Sequence, residues 1–161
     1  MSTGREWWFE RATVVPADPD DVWRRVVSPA GINDEMLPWI RMTVPRGAGD
    51  ITIDTVRVGE PDGRAWLLLF GALPFDYDLL TIIELEPGHR FREQSTMLSM
   101  RTWGHERTLT PAAAGGTLVT DRVTLGPRGP LVCAGPLLRA VLGAFFDHRH
   151  RRLVRHFTRR A

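Results

Sequence analysis

Glu93, Ser95, His105, Arg107 and Asp121 lie in a stretch where apolar and polar residues alternate, so neighbouring antiparallel strands can bring them onto one face. With turns centred near Gly88, Met100 and Ala114, Glu93, Arg107 and Asp121 fall in one cross-strand row, and Ser95 and His105 in the adjacent row. An arginine between two carboxylates is satisfied in an apolar interior, whereas any one of the three alone would be costly to bury. Such a row either fixes strand register as a buried ion network or forms the polar floor of a pocket that orients a guest's carbonyl or hydroxyl. If a reaction takes place there, His105 and Arg107 are the first catalytic candidates, as groups that hold or move a proton near a carbonyl. No third member completes a triad with Ser95 and His105.

The same register sorts the strand residues into two faces. One face carries Leu79, Thr81, Ile83 and Leu85, then Phe91, Glu93, Ser95 and Met97, then Trp103, His105, Arg107 and Leu109, then Val119, Asp121, Val123 and Leu125. This face is mostly apolar and is expected to point inward. The other face, which includes Asp78, Leu80, Ile82 and Glu84, is mostly polar and is expected to point outward.

The elements that must hold these residues follow an order. Residues 7–15 read as a strand ended by Pro16. Asp18 as N-cap, Pro19 at the first helical position and the acids after it start a short helix. Ser28-Pro29 ends that helix and starts a second one through about Met36. Residues 39–44 look extended. The stretch 45–63, rich in Gly, Pro and Asp, is irregular, with 51–58 either an edge strand or a folded loop. Strands follow at 64–71, 78–86, 90–98, 102–109 and 117–125. One amphipathic helix, about 136–159, closes the chain, with Leu138, Val141, Leu142, Phe145, Phe146, Leu153 and Phe157 on its apolar side. Arg149 and His156 fall within that stripe and His150 at its margin. The expectation is a single α+β domain over residues 1–161: a strongly curved antiparallel sheet of six to seven strands around a long C-terminal helix, with two short helices after the first strand. A curved sheet with one helix across its mouth encloses a cavity.

Composition narrows the function. Charged residues make up 25% and hydrophobic residues 43%, ordinary for a globular domain. The net charge is only +2, and every basic residue is arginine, so neither a global basic field nor the arginine count points to nucleic acid. The basic tail DHRHRRLVRHFTRR places its charges mostly opposite the apolar stripe, as a solvated face does. Cys133 is the single cysteine, which excludes an internal disulfide, fits a reducing cytoplasmic setting and reads as a packed thiol. The N-terminus lacks the apolar core of a signal peptide, and the longest uncharged apolar stretch, 65–75, is too short for a membrane helix of about 20 residues. No H-E-x-x-H, P-loop, G-x-S-x-G or dinucleotide fingerprint occurs, so no metal or cofactor is expected. The segment PFDYD reads as a capped turn rather than an acid pair. Trp39, Trp66 and Trp103 either line a pocket or pack in the core.

The opening strand, the VPADPDDVWRRVVSP helix start, the successive hairpins and the last helix together resemble the SRPBCC superfamily of START-like, polyketide cyclase/dehydrase-like and birch-pollen-allergen-like proteins. FGALPFDYDLLTIIELEPGHRF and STMLSMRTWGHERTL look like its bacterial members. The resemblance covers nearly the whole chain and implies a helix-grip fold with a hydrophobic cavity between sheet and helix. The superfamily shares no one catalytic motif, so no active-site residue carries over. The leading expectation is a carrier or sensor for a small hydrophobic molecule, polycyclic or isoprenoid-like in shape, with Leu79, Ile83, Phe91, Met97, Trp103 and Phe146 as apolar walls. Glu93, Arg107, Asp121, Ser95, His105 and Arg149 would supply the polar contacts. The alternatives are a cyclase/aromatase/dehydratase-like enzyme and a protein-interaction module using the basic face of the last helix. A homodimer is compatible with any of the three.

Overall fold

The computed structural model describes residues 4–45 and 51–159, so residues 46–50 of the irregular stretch lie outside the described residues. The strands are β1 (Trp7–Val15), β2 (Ile40–Met42), β3 (Pro61–Leu69), β4 (Leu73–Glu86), β5 (Arg90–Met97), β6 (Met100–Pro111) and β7 (Thr117–Pro127). The helices are α1 (Pro19–Val26), α2 (Pro29–Met36) and α3 (Gly135–Thr158). All seven strands form one antiparallel sheet in the order β1-β7-β6-β5-β4-β3-β2, curled into a half-barrel around α3. The expected α+β helix-grip architecture is therefore present. Residues 51–58 resolve as a folded loop with a 3-10 turn at Ile53–Thr55, because Thr52 and Thr55 satisfy each other's backbone across that turn.

Local chemistry accounts for the boundaries. Asp18 is extended and Pro19 pre-sets the first turn of α1; Asp20 and Asp21 sit near its N-terminus and Arg24 and Arg25 near its C-terminus, each complementing the helix dipole. Ser28 caps α2 by accepting a 3.0 Å hydrogen bond from the Gly31 amide. Two glycines matter to the packing. Gly116 sits at φ +79°, and a Cβ there would lie 2.4 Å from the Val15 carbonyl, so the β6–β7 turn and the end of β1 meet only at glycine. Gly135 lets the start of α3 press onto the Trp7 ring, 2.2 Å from where a Cβ would stand.

The core divides into two apolar clusters. One contains Val15, Val22, Trp23, Val26, Ile82, Phe91, Leu109, Val119 and Leu153. The other contains Phe9, Met97, Met100, Trp103, Val123, Leu125 and Phe146. Each inward strand face passes from one cluster to the other through polar residues: Val119–Asp121–Val123 on β7, and Leu109, Arg107, His105 and Trp103 on β6. Helix α3 does the same, from Leu153 through His150 and Arg149 to Phe146. A charged belt thus crosses the middle of the domain.

Expectations for three other features change. Cys133 is exposed rather than packed, because the turn before α3 lies on the surface. Trp39 and Trp66 are 49% and 42% exposed, which leaves Trp103 as the interior member of that trio. The segment Gly129–Thr158 contains an 18-residue window of mean hydropathy 1.6, long and apolar enough by composition to cross a membrane. Only 17% of that window is buried, with Leu137 and Val141 65% and 56% exposed, while Phe146, Arg149, His150 and Leu153 are the residues of the helix turned toward the sheet.

Candidate functional site

Register decides which side chains meet. β6 and β7 pair with Arg107 opposite Asp121, as the spacing predicts. β5 and β6 pair with Glu93 opposite His105 and Phe91 opposite Arg107, two residues away from the expected alignment. An even slip keeps every residue on its face but moves the partners by one row, so Glu93 does not flank Arg107. The hairpin between β4 and β5 begins as expected, with Leu85 opposite Phe91. A β-bulge between Ile82 and Glu84 then inserts one residue and reverses the faces, so that Ile82 pairs with Glu93 and Asp78 with Met97. Asp78, Leu80 and Ile82 therefore belong to the inward face. Leu79 and Ile83 do not line the cavity, a correction that follows from that single inserted residue.

The second carboxylate for Arg107 comes from α2. Glu35, 1% exposed, receives hydrogen bonds from Arg107 Nη1 at 2.8 Å and Nη2 at 3.0 Å. The other edge of the Arg107 guanidinium grips Asp121, with Nε and Nη2 each 2.7 Å from a carboxylate oxygen. Arg149 from α3 reaches Glu35 with Nη2 at 3.0 Å and lies with its guanidinium carbon 4.7 Å from the centre of the Phe146 ring. Asp121 also contacts His105 Nε2 at 2.8 Å and His150 Nε2 at 2.6 Å. His105 Nδ1 faces Glu93 at 3.9 Å, and Glu93 accepts a 2.9 Å hydrogen bond from Ser95. Outside this belt, Asp34 anchors α2 by pairing with Arg25 at 3.0 Å and Arg152 at 2.8 Å.

The charges alternate in space: Glu93, His105, Asp121, Arg107, Glu35, Arg149. Burial alone would push the three carboxyl groups up. For Asp121 and Glu35 the adjacent guanidinium groups more than offset this and hold them below the usual carboxylate range, Asp121 well below. Glu93 is lowered too, against burial, by His105 and by hydrogen bonds from Asp78 and Ser95. Burial would lower the His105 imidazole, but Asp121 and Glu93 raise it. The three carboxylates thus alternate with the guanidiniums of Arg107 and Arg149 and with the imidazoles of His105 and His150. Asp78 is the exception. Burial, and then the Glu93 charge beside it, push its carboxyl up to about 10.

Between the sheet and α3 lies a cavity of about 340 Å³. Its apolar walls include Leu80, Phe91, Met97, Trp103, Leu142 and Phe146, and Asp78, Glu93, His105 and Arg149 supply polar groups. His105 is held edge-on between the Phe91 and Phe146 rings, 5.5 and 5.3 Å away. Of the expected site residues, Phe91, Glu93, Met97, Trp103, His105, Phe146 and Arg149 are brought together on this cavity. Arg107, Asp121 and Ser95 are buried behind it; Arg107 is 0% exposed and its guanidinium is committed to two carboxylates. Glu35, Asp78, Leu80 and His150 were not expected at the site. For Glu35 a signal exists: Ile32, Glu35 and Met36 share helical spacing i, i+3, i+4 on the face of α2 that turns inward. PFDYD is not the capped turn the sequence suggests: residues 74–78 lie within β4, where Asp76 accepts from the Tyr77 amide and from the Leu98 amide that follows β5, while Asp78 lies buried beside Glu93.

A family model described as a domain of unknown function (DUF8410) matches residues 13–157. The chain belongs to that family. No curated protein matches the sequence. Solved structures share the fold at low identity. The Zhui aromatase/cyclase from Streptomyces sp. R1128 aligns with TM-score 0.71 at 15% identity, covering 97% of this chain and 96% of that one. A START superfamily protein from Mycobacterium smegmatis gives TM-score 0.68 at 12% identity over 96% and 99%. The di-domain ARO/CYC StfQ from the steffimycin biosynthetic pathway gives 0.67 at 14% identity over 96% of this chain and 52% of that one. The DUF8410 chain thus has the SRPBCC-like helix-grip fold.

Proposed function

We propose that this protein binds a small, largely apolar molecule between the curled sheet and α3. The observation that supports it most directly is a cavity of about 340 Å³ with apolar walls and a few convergent polar groups, the form that ligand sites take. A cavity of roughly 150 Å³ accepts benzene, so this one suits a flat guest of two or three fused rings. The fold shared with a START superfamily protein and with aromatase/cyclase proteins supports the same reading. Trp103, 9% exposed and on the cavity wall, provides a reporter. Titration with a panel of fused-ring and isoprenoid compounds is expected to give a saturable fluorescence change that Trp103→Phe removes. Silence across the panel overturns the proposal.

A cyclase- or dehydratase-like activity is a second reading, favoured by His105, which lines the cavity with its imidazole fixed by Asp121. Turnover of any accepted substrate is then expected to fall in His105→Ala, and unchanged turnover excludes that role.

A further inference from the structure

The two buried arginines of the belt differ in how fully they are used. Arg107 is closed: Nε and Nη2 donate to Asp121, while Nη1 and Nη2 donate to Glu35. Arg149 is open. Its Nε, at 3.2 Å, and its Nη2, at 3.0 Å, both meet one oxygen of Glu35, Oε2. Among the described residues Nη1 donates to no acceptor. Unlike Asp78 Oδ1, it is not sealed away from solvent, although the Arg149 side chain as a whole is only 8% exposed.

Arg149 lines the cavity, and so do Leu142, Phe145 and Phe146, which stand at helical spacing before it on α3. One stripe of the helix thus sets an apolar wall beside a cationic donor. The guanidinium is fixed on two sides: Glu35 holds one edge, and the Phe146 ring covers a face at 4.7 Å. Phe146 is itself 1% exposed and braced edge-on by Phe9 at 5.5 Å. A planar group clamped by an edge and a face keeps its remaining N–H groups in set directions. A donor in such an apolar setting is best satisfied by an oxygen acceptor that enters with the guest.

Charge chooses among acceptors. Arg149 already faces Glu35, and Glu93 is a second carboxylate on the same cavity, its Oε2 3.9 Å from His105 Nδ1. An anionic head group would enter beside these carboxylates. A neutral carbonyl accepts the hydrogen bond and adds no charge.

We propose that the open edge of Arg149 turns into the cavity and donates from Nη1 to a carbonyl oxygen on the guest, so that the site takes neutral, ketone-bearing ring compounds. This rests on the cavity-binding reading above and narrows it to a chemical class.

Three compounds with one ring body provide the test at pH 7: 2-ethylnaphthalene, 2-acetylnaphthalene and 2-naphthoate, titrated by calorimetry into the wild-type protein and Arg149→Met. Methionine keeps an aliphatic stem and removes the donor, while Glu35 retains Arg107. The different hydration of ketone and hydrocarbon cancels when their affinity ratio is compared between the two proteins. The acetyl-to-ethyl ratio is expected to be at least about tenfold higher in the wild type, the factor one hydrogen bond from a charged donor supplies. In the wild type 2-naphthoate should bind more weakly than 2-acetylnaphthalene. Infrared spectroscopy gives an answer on the wild type alone: the carbonyl stretch of bound 2-acetylnaphthalene should lie below its position in hexane. Equal ratios in the two proteins, or a stretch unchanged from hexane, overturns this inference and leaves the cavity reading intact. Tighter binding of 2-naphthoate than of 2-acetylnaphthalene overturns the neutral class. Binding of none of the three removes the cavity reading and the carbonyl preference together.

Discussion

Glu35 is where the charged belt is most open to perturbation. It is 1% exposed, takes two hydrogen bonds from Arg107 at 2.8 and 3.0 Å, and receives Arg149 at 3.0 Å. Glu35→Ala leaves Arg107 with Asp121 alone and leaves Arg149, 7% exposed, with only the Phe146 face among these contacts. Removing one partner from a buried ion pair costs about 3–5 kcal/mol, because the remaining charge stays desolvated. Alanine is the better helix former, so backbone propensity in α2 does not add to the loss. For a domain of this size, that cost lowers the thermal midpoint by about 6–20 °C and the urea midpoint by about 1.5–2.5 M at a slope of about 2 kcal/mol/M. The control is Glu10→Gln, which breaks an exposed pair with Arg122 and should change stability by less than about 0.5 kcal/mol. The pH dependence has a defined sign. The Glu35 carboxyl is held below its unfolded value, so its contribution is present above about pH 4.3 and is lost as pH falls through the depressed folded value. The difference between wild type and Glu35→Gln should shrink in that direction. A Glu35→Ala protein within about 0.5 kcal/mol of wild type at pH 7 would mean that α2 does not deliver this carboxylate to Arg107.

Other outcomes follow from the same geometry. The His105 imidazole, raised by Asp121 and Glu93, should titrate above about pH 6.5 by NMR, and Glu93→Gln should lower that midpoint; its stability contribution is complete below the unfolded value and is lost as pH rises through the folded one. Asp78→Asn should raise stability at pH 8 by about 1–3 kcal/mol and do little at pH 4, since a carboxyl raised in the fold opposes folding increasingly as pH climbs from about 3.9 toward its folded value; equal denaturation midpoints at both pH values would contradict this. Phe146→Ala removes a ring, 1% exposed, that packs against Phe9 and His105, and should cost about 3–5 kcal/mol in a denaturant melt.

The sequence carried the frame further than the site. Proline, aspartate and serine at 18–19 and 28–29 marked the starts of α1 and α2, and alternation marked β5 and β7, because caps and periodicity are local properties. Faces on β5, β6 and β7 were also readable, since a slip of two residues preserves them. Face assignment on β4 failed at one inserted residue: a bulge obeys cross-strand packing and leaves no periodic signal of its own. Partnership failed for Arg107 because its second carboxylate stands 72 positions earlier in the chain, on a two-turn helix whose docking no local pattern specifies. The polar belt itself was visible as charged residues at inward positions; which carboxylate meets which cation was decided in three dimensions.

Methyl NMR during titration with naphthalene would probe the cavity most directly. Saturable shifts are expected at the methyl groups of Met97, Met100, Leu80 and Leu142, which line the cavity, and not at those of Leu98 and Leu137, which are 59% and 65% exposed. Shifts of equal size on the outer residues, or no saturable shift at the inner ones, would contradict a guest site between the sheet and α3.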